Sequence, residues 1–208
     1  TLSLHDALPI WEAEKFLDFI RKGAVRMSNL IQDLLAYARL TTENERPSSI
    51  ALDEDLEAAL THLAQAIAES GASVTHDPMP TLAVDRGQMV RLFQNLIGNA
   101  VKYRKRNESP KVHVSAEQNG KEWVISVRDN GIGFEPEFAV TIFLPFKRLH
   151  SSEEYPGTGV GLAICHRIVQ AQGGRIWAES VVGEGTTIFF TLPVESRAAL
   201  KYTPPVTQ

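Results

Sequence analysis

Three short segments hold the residue types that a nucleotide and its metal ion need: NLIGNAVK at 95–102, DNGIG at 129–133 and GTGVGL at 157–162. Asn95 and Asn99 lie one helical turn apart and project side-chain carbonyls from one face. Such carbonyls are hard oxygen ligands, suited to a Mg2+ that keeps most of its waters and bridges phosphates. Asp129, closing a strand, can accept a hydrogen bond from an exocyclic amine such as that of adenine. Gly157, Gly159 and Gly161, spaced by two before a helix, let backbone N–H groups approach phosphate at the positive helix end. In this order the three segments point to an ATP site.

Each segment taken alone has a plainer reading. Asparagines at i and i+4 can cap or hydrogen-bond within a buried helix, and Asp-Asn-Gly is a common turn. Phe143 and Phe146 can be ordinary core. Arg128, Lys147 and Arg148 can be solvated charges, the usual state of surface Lys and Arg.

The bulk properties are those of a folded protein. The chain has 208 residues, 43% of them hydrophobic and 22% charged, enough for one moderate core and a smaller element. A formal net charge of −4 argues against nucleic acid as the main partner. The single cysteine, Cys165, excludes an intrachain disulfide and fits a reducing compartment. No apolar run reaches the ~18 residues of a membrane span and no signal-peptide pattern opens the chain, so a soluble chain is expected, with room for a membrane sensor upstream.

The elements that must position the segments follow from periodicity. Residues 1–10 share no period with the helix after them and read as a non-native or disordered leader. From Trp11 to Leu40 a 4-3-4-3 seam of Phe16, Ile20, Gly23, Met27, Leu30, Leu34 and Tyr37 predicts a long helix. Leu17, Ala24, Ile31, Leu35 and Ala38 add a second stripe, so the helix is expected to pack on more than one neighbour. No second long heptad helix exists here to supply one. The alternative is a surface helix docked on its own domain. Polar residues 41–49 form the expected linker.

Leu52–Glu69 predicts a helix with Leu52, Leu56, Ala59, Leu60, Leu63 and Ile67 inward, stopped at Gly71. Strands are expected at 72–76 and 81–84, then a helix capped by Asp85 and running to Lys102 with Val90, Phe93, Leu96 and Ile97 inward. Lys111–Glu117 alternates, turns at Asn119-Gly120 and returns through Trp123, Ile125 and Val127 into Asp129. A helix over 159–172 and a hairpin of 175–180 with 186–192 complete the pattern. The fold class this predicts is α+β: a two-layer α/β sandwich, a mixed sheet with helices on one face, behind a long N-terminal bundle helix. The domains are then the leader at 1–10, a bundle helix at 11–45, the main domain at 49–194 and a flexible tail at 195–208.

These boxes resemble those of sensor histidine kinases. NLIGNAVK resembles the N box, DNGIG the D-x-G-x-G box, FLPFKR at 143–148 the F box, GTGVGL the second glycine box, and GEGT at 183–186 the closing turn. The stretch at 147–157 is similar to kinases of the bacteriophytochrome type. The resemblance spans about residues 11–194 and implies the histidine kinase, gyrase and chaperone ATPase-like fold. It implies that Asn99 would hold Mg2+ with Asn95 assisting, that Lys102 would contact phosphate, and that Tyr103 would pack near ribose or phosphate. Asp129 would bind the adenine amino group above Gly131 and Gly133. Residues 134–156 would form a lid anchored by Phe143 and Phe146, with Arg148 reaching phosphate or a partner helix. Gly157, Thr158, Gly159, Gly161 and Leu162 would hinge the lid and meet phosphate, and Thr186 would complete the nucleotide site.

The implied activity is ATP-dependent protein-histidine phosphorylation, relayed to an Asp on a response regulator receiver domain. The enzyme would be a cytoplasmic or membrane-tethered homodimer joined through the N-terminal helix. Asn95 stands where related gyrase, chaperone and mismatch-repair ATPases use Glu. An amide cannot take a proton from attacking water, which disfavours hydrolysis and favours a histidine acceptor. That acceptor is not expected in this chain. His5-Asp6 fits loosely, but the helix that would carry it needs roughly 30–45 Å of length, and the second hairpin helix begins at Trp11. His76, His62, His113, His150 and His166 read as structural or surface residues. A non-kinase ATP-binding or dimerisation module, or an ATP-hydrolysing chaperone-type enzyme, are the competing readings.

Overall fold

Apolar residues alternating along the strands commit one face of a sheet to helices. The computed structural model describes residues 10–39, 48–151, 154–155 and 157–194. In chain order the elements are α1 (Ile10–Arg39), β1 (Ser48–Ala51), α2 (Leu52–Ser70), β2 (Ser73–His76), β3 (Thr81–Val84), α3 (Arg86–Lys102), β4 (Lys111–Asn119), β5 (Glu122–Asp129), α4 (Gly161–Ala171), β6 (Ile176–Val181) and β7 (Gly185–Pro193). Two single 3-10 turns, Pro136–Phe138 and Thr141–Phe143, lie between β5 and α4. The expectations for His5, for residues 1–9, for most of the linker (40–47) and for the tail (195–208) lie outside the described residues.

The main sheet has the order β2-β4-β5-β7-β6. β2 runs parallel to β4 and every other pair is antiparallel. Val112, Val114, Ile125, Val127, Ile188, Phe190 and Leu192 are buried on its inner face. They meet Leu56 of α2, Phe93 and Ile97 of α3, and Ile164 and Ile168 of α4 in one core. Phe93 and Phe190 touch edge to face, with ring centroids 6.2 Å apart, the arrangement that aromatic quadrupoles prefer. The opposite face keeps His113, Glu117 and Arg128 exposed. This is the two-layer sandwich expected from the sequence.

Local chemistry fixes the helix ends. The Asp85 side chain accepts the Gln88 N–H at 3.0 Å and so caps α3. Gly71, at φ 64°, closes α2 by donating to the Ala68 carbonyl. Leu52, Leu56 and Ala59 are fully buried, while Leu60, Leu63 and Ile67 pack at the edge of the core.

The linker expectation needs one correction. Its last residues, Ser48 and Ser49, open β1, which pairs antiparallel with β3 in the register Ser48↔Val84 to Ala51↔Thr81. A four-residue strand with one buried apolar residue, Ile50, has no readable period, and its partner is some thirty positions away. β3 thereby leaves the main sheet and joins a separate two-stranded one.

The apolar stripes of α1 are uncovered in this chain. Phe16, Ile20, Met27 and Leu34 of the first stripe, and Leu17, Ile31 and Leu35 of the second, are each more than half exposed. The side chains of Tyr37 and Ala38 lie outside the described residues. Among the described residues the helix approaches the main domain chiefly along α4, and these stripe residues stay exposed rather than docked on their own domain.

One buried charge is conspicuous. Asp55, in the first turn of α2, is fully buried and neither carboxylate oxygen makes a hydrogen bond to a described residue. Arg86 Nε lies 3.3 Å from Oδ1 without hydrogen-bond alignment. Burial pushes the carboxyl up to about 6, against the pull of Arg86 and with help from Glu54 and Asp85. With the folded pKa above the unfolded one, the contribution of this group is greatest below about pH 4 and is lost as pH rises through 6. Asp55→Asn is expected to stabilise the chain by about 1–3 kcal/mol at pH 8 and to match it at pH 4. Urea titrations at the two pH values measure this, and equal effects at both would refute it.

Candidate nucleotide site

Two cavities meet at the C-terminal half of α3. The first, about 760 Å3 including its open mouth, is walled by Leu96, Val127, Ile132, Phe134, Ile142 and Ile188, with Asp129 and Thr186 as its polar end. The second, about 610 Å3, is lined by Asn95, Asn99, Lys102, Lys147, the Gly157–Gly159 turn and Gly161. Asn99, Tyr103, Ile142, Lys147 and Leu162 border both. An apolar slot with one carboxylate suits a flat heterocycle bearing an amine. The adjoining cavity, with two lysines and no carboxylate among its lining residues, suits phosphate.

Sheet register positions the polar end of the slot. β5 pairs with β7 up to Arg128↔Thr187, which leaves Asp129 beside the first residues of β7. Asp129 Oδ1 accepts the Gly131 N–H at 2.8 Å and the Thr186 N–H at 3.1 Å. Oδ2 is the oxygen left for a ligand. Burial pushes the carboxyl up to about 6, and the two N–H donors only partly offset that. The chain passes tightly at Gly133: it sits at φ 62°, and a Cβ there would lie 2.1 Å from the Val181 carbonyl oxygen.

Helix geometry positions the phosphate end. Asn95 Nδ2 donates to the Arg91 carbonyl at 2.9 Å, which leaves Oδ1 as its free atom. A Cβ on Gly161 would stand 2.8 Å from that oxygen, so the start of α4 can approach α3 this closely only as glycine. No side chain caps α4, and its free first-turn N–H groups carry the positive end of the helix dipole. No hydrogen bond to another described residue engages the Asn99 amide. Lys102 Nζ lies 4.1 Å from the centre of the Tyr103 ring.

Most of the expected residues converge here. Asn95, Asn99, Lys102, Tyr103, Asp129, Gly133, Arg148, Gly157, Thr158, Gly159, Gly161, Leu162 and Thr186 all line one cavity or the other. Gly131 stands just behind the wall as the donor to Asp129. Phe146 does not converge. It is 59% exposed and lines neither cavity, and it is the one described non-glycine residue at positive φ, 63°. The Phe146 N–H donates to the Gly159 carbonyl, and that backbone bond turns the ring outward. Phe143, buried in the core with His166 beside it, anchors the segment together with Ile142 rather than with Phe146. Arg148 lines the base cavity while its guanidinium donates to the carbonyls of Tyr155 and Gly157, each at 2.8 Å.

Lys147, read from the sequence as a solvated charge, is exposed and yet borders both cavities, and sequence reasoning gave no role to the slot residues Val127, Ile132, Ile142 and Ile188. Strand alternation signalled the inward position of Val127 and Ile188. Only the packing of the 134–160 segment could reveal the others.

A family model described as histidine kinase-, DNA gyrase B- and HSP90-like ATPase matches residues 84–196, which include every cavity-lining residue. The chain belongs to that family. It is 47% identical over 186 residues to cyanobacterial phytochrome A of Nostoc sp., a match covering 89% of this chain and 24% of the relative. Its backbone is similar to full-length ShkA in complex with AMPPNP, with a TM-score of 0.71 at 26% identity over 89% of this chain and 39% of the other. The histidine kinase ThkA in complex with response regulator protein TrrA shares the fold, with a TM-score of 0.68 at 21% identity over 92% of this chain and 54% of that one. The chain spans about a quarter of the length of the curated relatives it matches.

The raised Asp129 pKa gives this family domain a testable pH profile. Only the ionised carboxylate keeps both oxygens as pure acceptors, Oδ1 for the two backbone N–H groups and Oδ2 for an amine. Adenine-nucleotide affinity is expected to fall as pH drops through about 6, by up to about tenfold per unit. Asp129→Asn should bind weakly and without that dependence, whereas His150→Gln, at another lining residue of the same cavity, should keep it. Calorimetry from pH 5 to 8 decides, and an unchanged profile in Asp129→Asn would refute the assignment.

Proposed function

We propose that this chain is the ATP-binding catalytic portion of a two-component sensor histidine kinase. It would donate the ATP γ-phosphate to a histidine, for relay to the receiver domain of a response regulator. The observation that carries the reading is the phosphate cavity. Its lining residues are amides, lysines and backbone N–H groups, with no carboxylate to take a proton from water. Among the described residues the sole carboxylate lining the paired cavities is Asp129, at the base end and already bound to two backbone N–H groups. A site built this way stabilises a transferring phosphoryl group and leaves the nucleophile to the acceptor. The histidine kinase ThkA, which shares the fold, is in complex with a response regulator protein, and this supports such a protein as the partner.

Each residue then has a role that follows from its atoms. Asp129 Oδ2 accepts from the adenine amine, and the apolar slot desolvates the ring. Lys102, Lys147 and the N–H groups opening α4 hold the phosphates. No group of three or more His, Cys, Asp or Glu among the described residues could hold a metal by itself. A Mg2+ therefore fits only if phosphates and water supply most of its ligands, with Asn99 and the free Oδ1 of Asn95 completing them. When bound, the ion would neutralise charge developing on the phosphates. The uncovered stripes of α1 support dimerisation through that helix in a longer parent. No described helix is long and apolar enough to cross a membrane, which fits a cytoplasmic location for this portion.

Asn99→Ala and Asp129→Ala should each weaken Mg-ATP binding by well over about tenfold, the scale on which a charge-assisted or metal contact acts. The phosphoryl step is tested by adding a separate helical hairpin bearing its own histidine, together with radiolabelled ATP. Label on the hairpin supports the kinase. Binding without transfer would favour a nucleotide-gated module, and steady phosphate release to water would favour a hydrolase.

A further inference from the structure

Where the two cavities join, three rings close against one another. Tyr103, at the C-terminal end of α3, has its ring centre 5.1 Å from Tyr155 and 6.0 Å from His150, and His150 and Tyr155 are 5.4 Å apart. His150 and Tyr103 line the base cavity, and Tyr103 also borders the phosphate cavity. Tyr155 lines neither.

Tyr155 is nevertheless tied on every side. Its hydroxyl donates to the Arg104 carbonyl at 3.3 Å, just past α3. Its backbone N–H donates to the Ser151 carbonyl at 3.1 Å, and its own carbonyl accepts from Arg148 Nη2. The other arm of the same guanidinium holds the Gly157 carbonyl. The ring and hydroxyl thus bind the segment to the end of α3, and the carbonyl binds it to Arg148 at its own base. None of these bonds needs a nucleotide.

We infer that Tyr155 is a positioning residue for nucleotide retention. With Tyr103 and His150 it forms a three-ring clasp across the mouth shared by the two cavities, and bound nucleotide leaves at the rate at which that clasp opens. The clasp acts through Tyr103 and His150, the two rings that line the base cavity. Its strength comes from ring contacts, each of modest energy, and from one hydroxyl bond on a half-exposed side chain. It is therefore suited to open and close without unfolding the domain. The inference rests on the nucleotide site proposed above.

Stopped-flow dissociation of a fluorescent ATP analogue, with hydrogen exchange of the 148–157 amides in the nucleotide-free chain, tests it. Tyr155→Ala is expected to speed dissociation about tenfold and to raise exchange in that segment, by loss of two ring contacts. Tyr155→Phe, which keeps the rings and loses only the hydroxyl, should stay within about threefold of the unsubstituted chain. The melting temperature without nucleotide should be the same for all three, a result that a merely structural role would not give. Normal binding with unchanged dissociation in Tyr155→Ala overturns the clasp alone. So does a loss shared equally by melting temperature and dissociation rate. Failure of the unsubstituted chain to bind the analogue overturns the nucleotide site and the clasp together.

Discussion

A single carboxylate oxygen joins the pieces of this site. Asp129 Oδ1 takes the N–H of Gly131 from its own turn and the N–H of Thr186 from the start of β7. Those two bonds fix where the DNGIG turn leaves the sheet and where the final hairpin enters it. Gly183 then donates to the Ile132 carbonyl, and Ile132 to the Tyr103 carbonyl, so the turn is bound to β7 on one side and to α3 on the other. Without the first pair of bonds, the base cavity would lose its polar end and the register between its two walls.

The same bonds account for the unusual state of the carboxyl group. Burial favours the neutral form, and two backbone donors are too few to reverse that. A ligand amine would supply the missing donor. The pocket is thus electrostatically incomplete when empty, as a recognition site should be if binding energy is to come from a desolvated polar pair. Asp55 is incomplete in the same sense but lines neither of the two cavities described, so its cost falls on stability.

The phosphate end is governed by close approach. Asn95 and Gly161 stand so near that the helix start can meet α3 only without a side chain. Arg148 closes the loop between them by gripping backbone carbonyls. The long apolar helix α1 contributes nothing to this geometry. Its apolar stripes stay largely exposed among the described residues.

The order of elements was legible from the chain because periodicity and caps act locally: the 3.6-residue stripe of α3, the Asp85 cap and the alternation through Trp123, Ile125 and Val127 need no partner to be recognised. The chemistry-bearing boxes were legible because residue type and spacing alone determine which atoms can share a face. The strand β1, the outward turn of Phe146, the place of Lys147 at the edge of both cavities and the grip of Arg148 on the backbone were not. Each depends on contacts between residues far apart in sequence, or on a backbone angle set by a hydrogen bond across a loop, as when the Phe146 N–H meets the Gly159 carbonyl. The sequence by itself determined the sandwich, its inner face and most atoms of the candidate site. Only the tertiary structure decided which side chains of the 134–160 segment face the cavities, because a loop without a period takes its conformation from the surfaces it lies against.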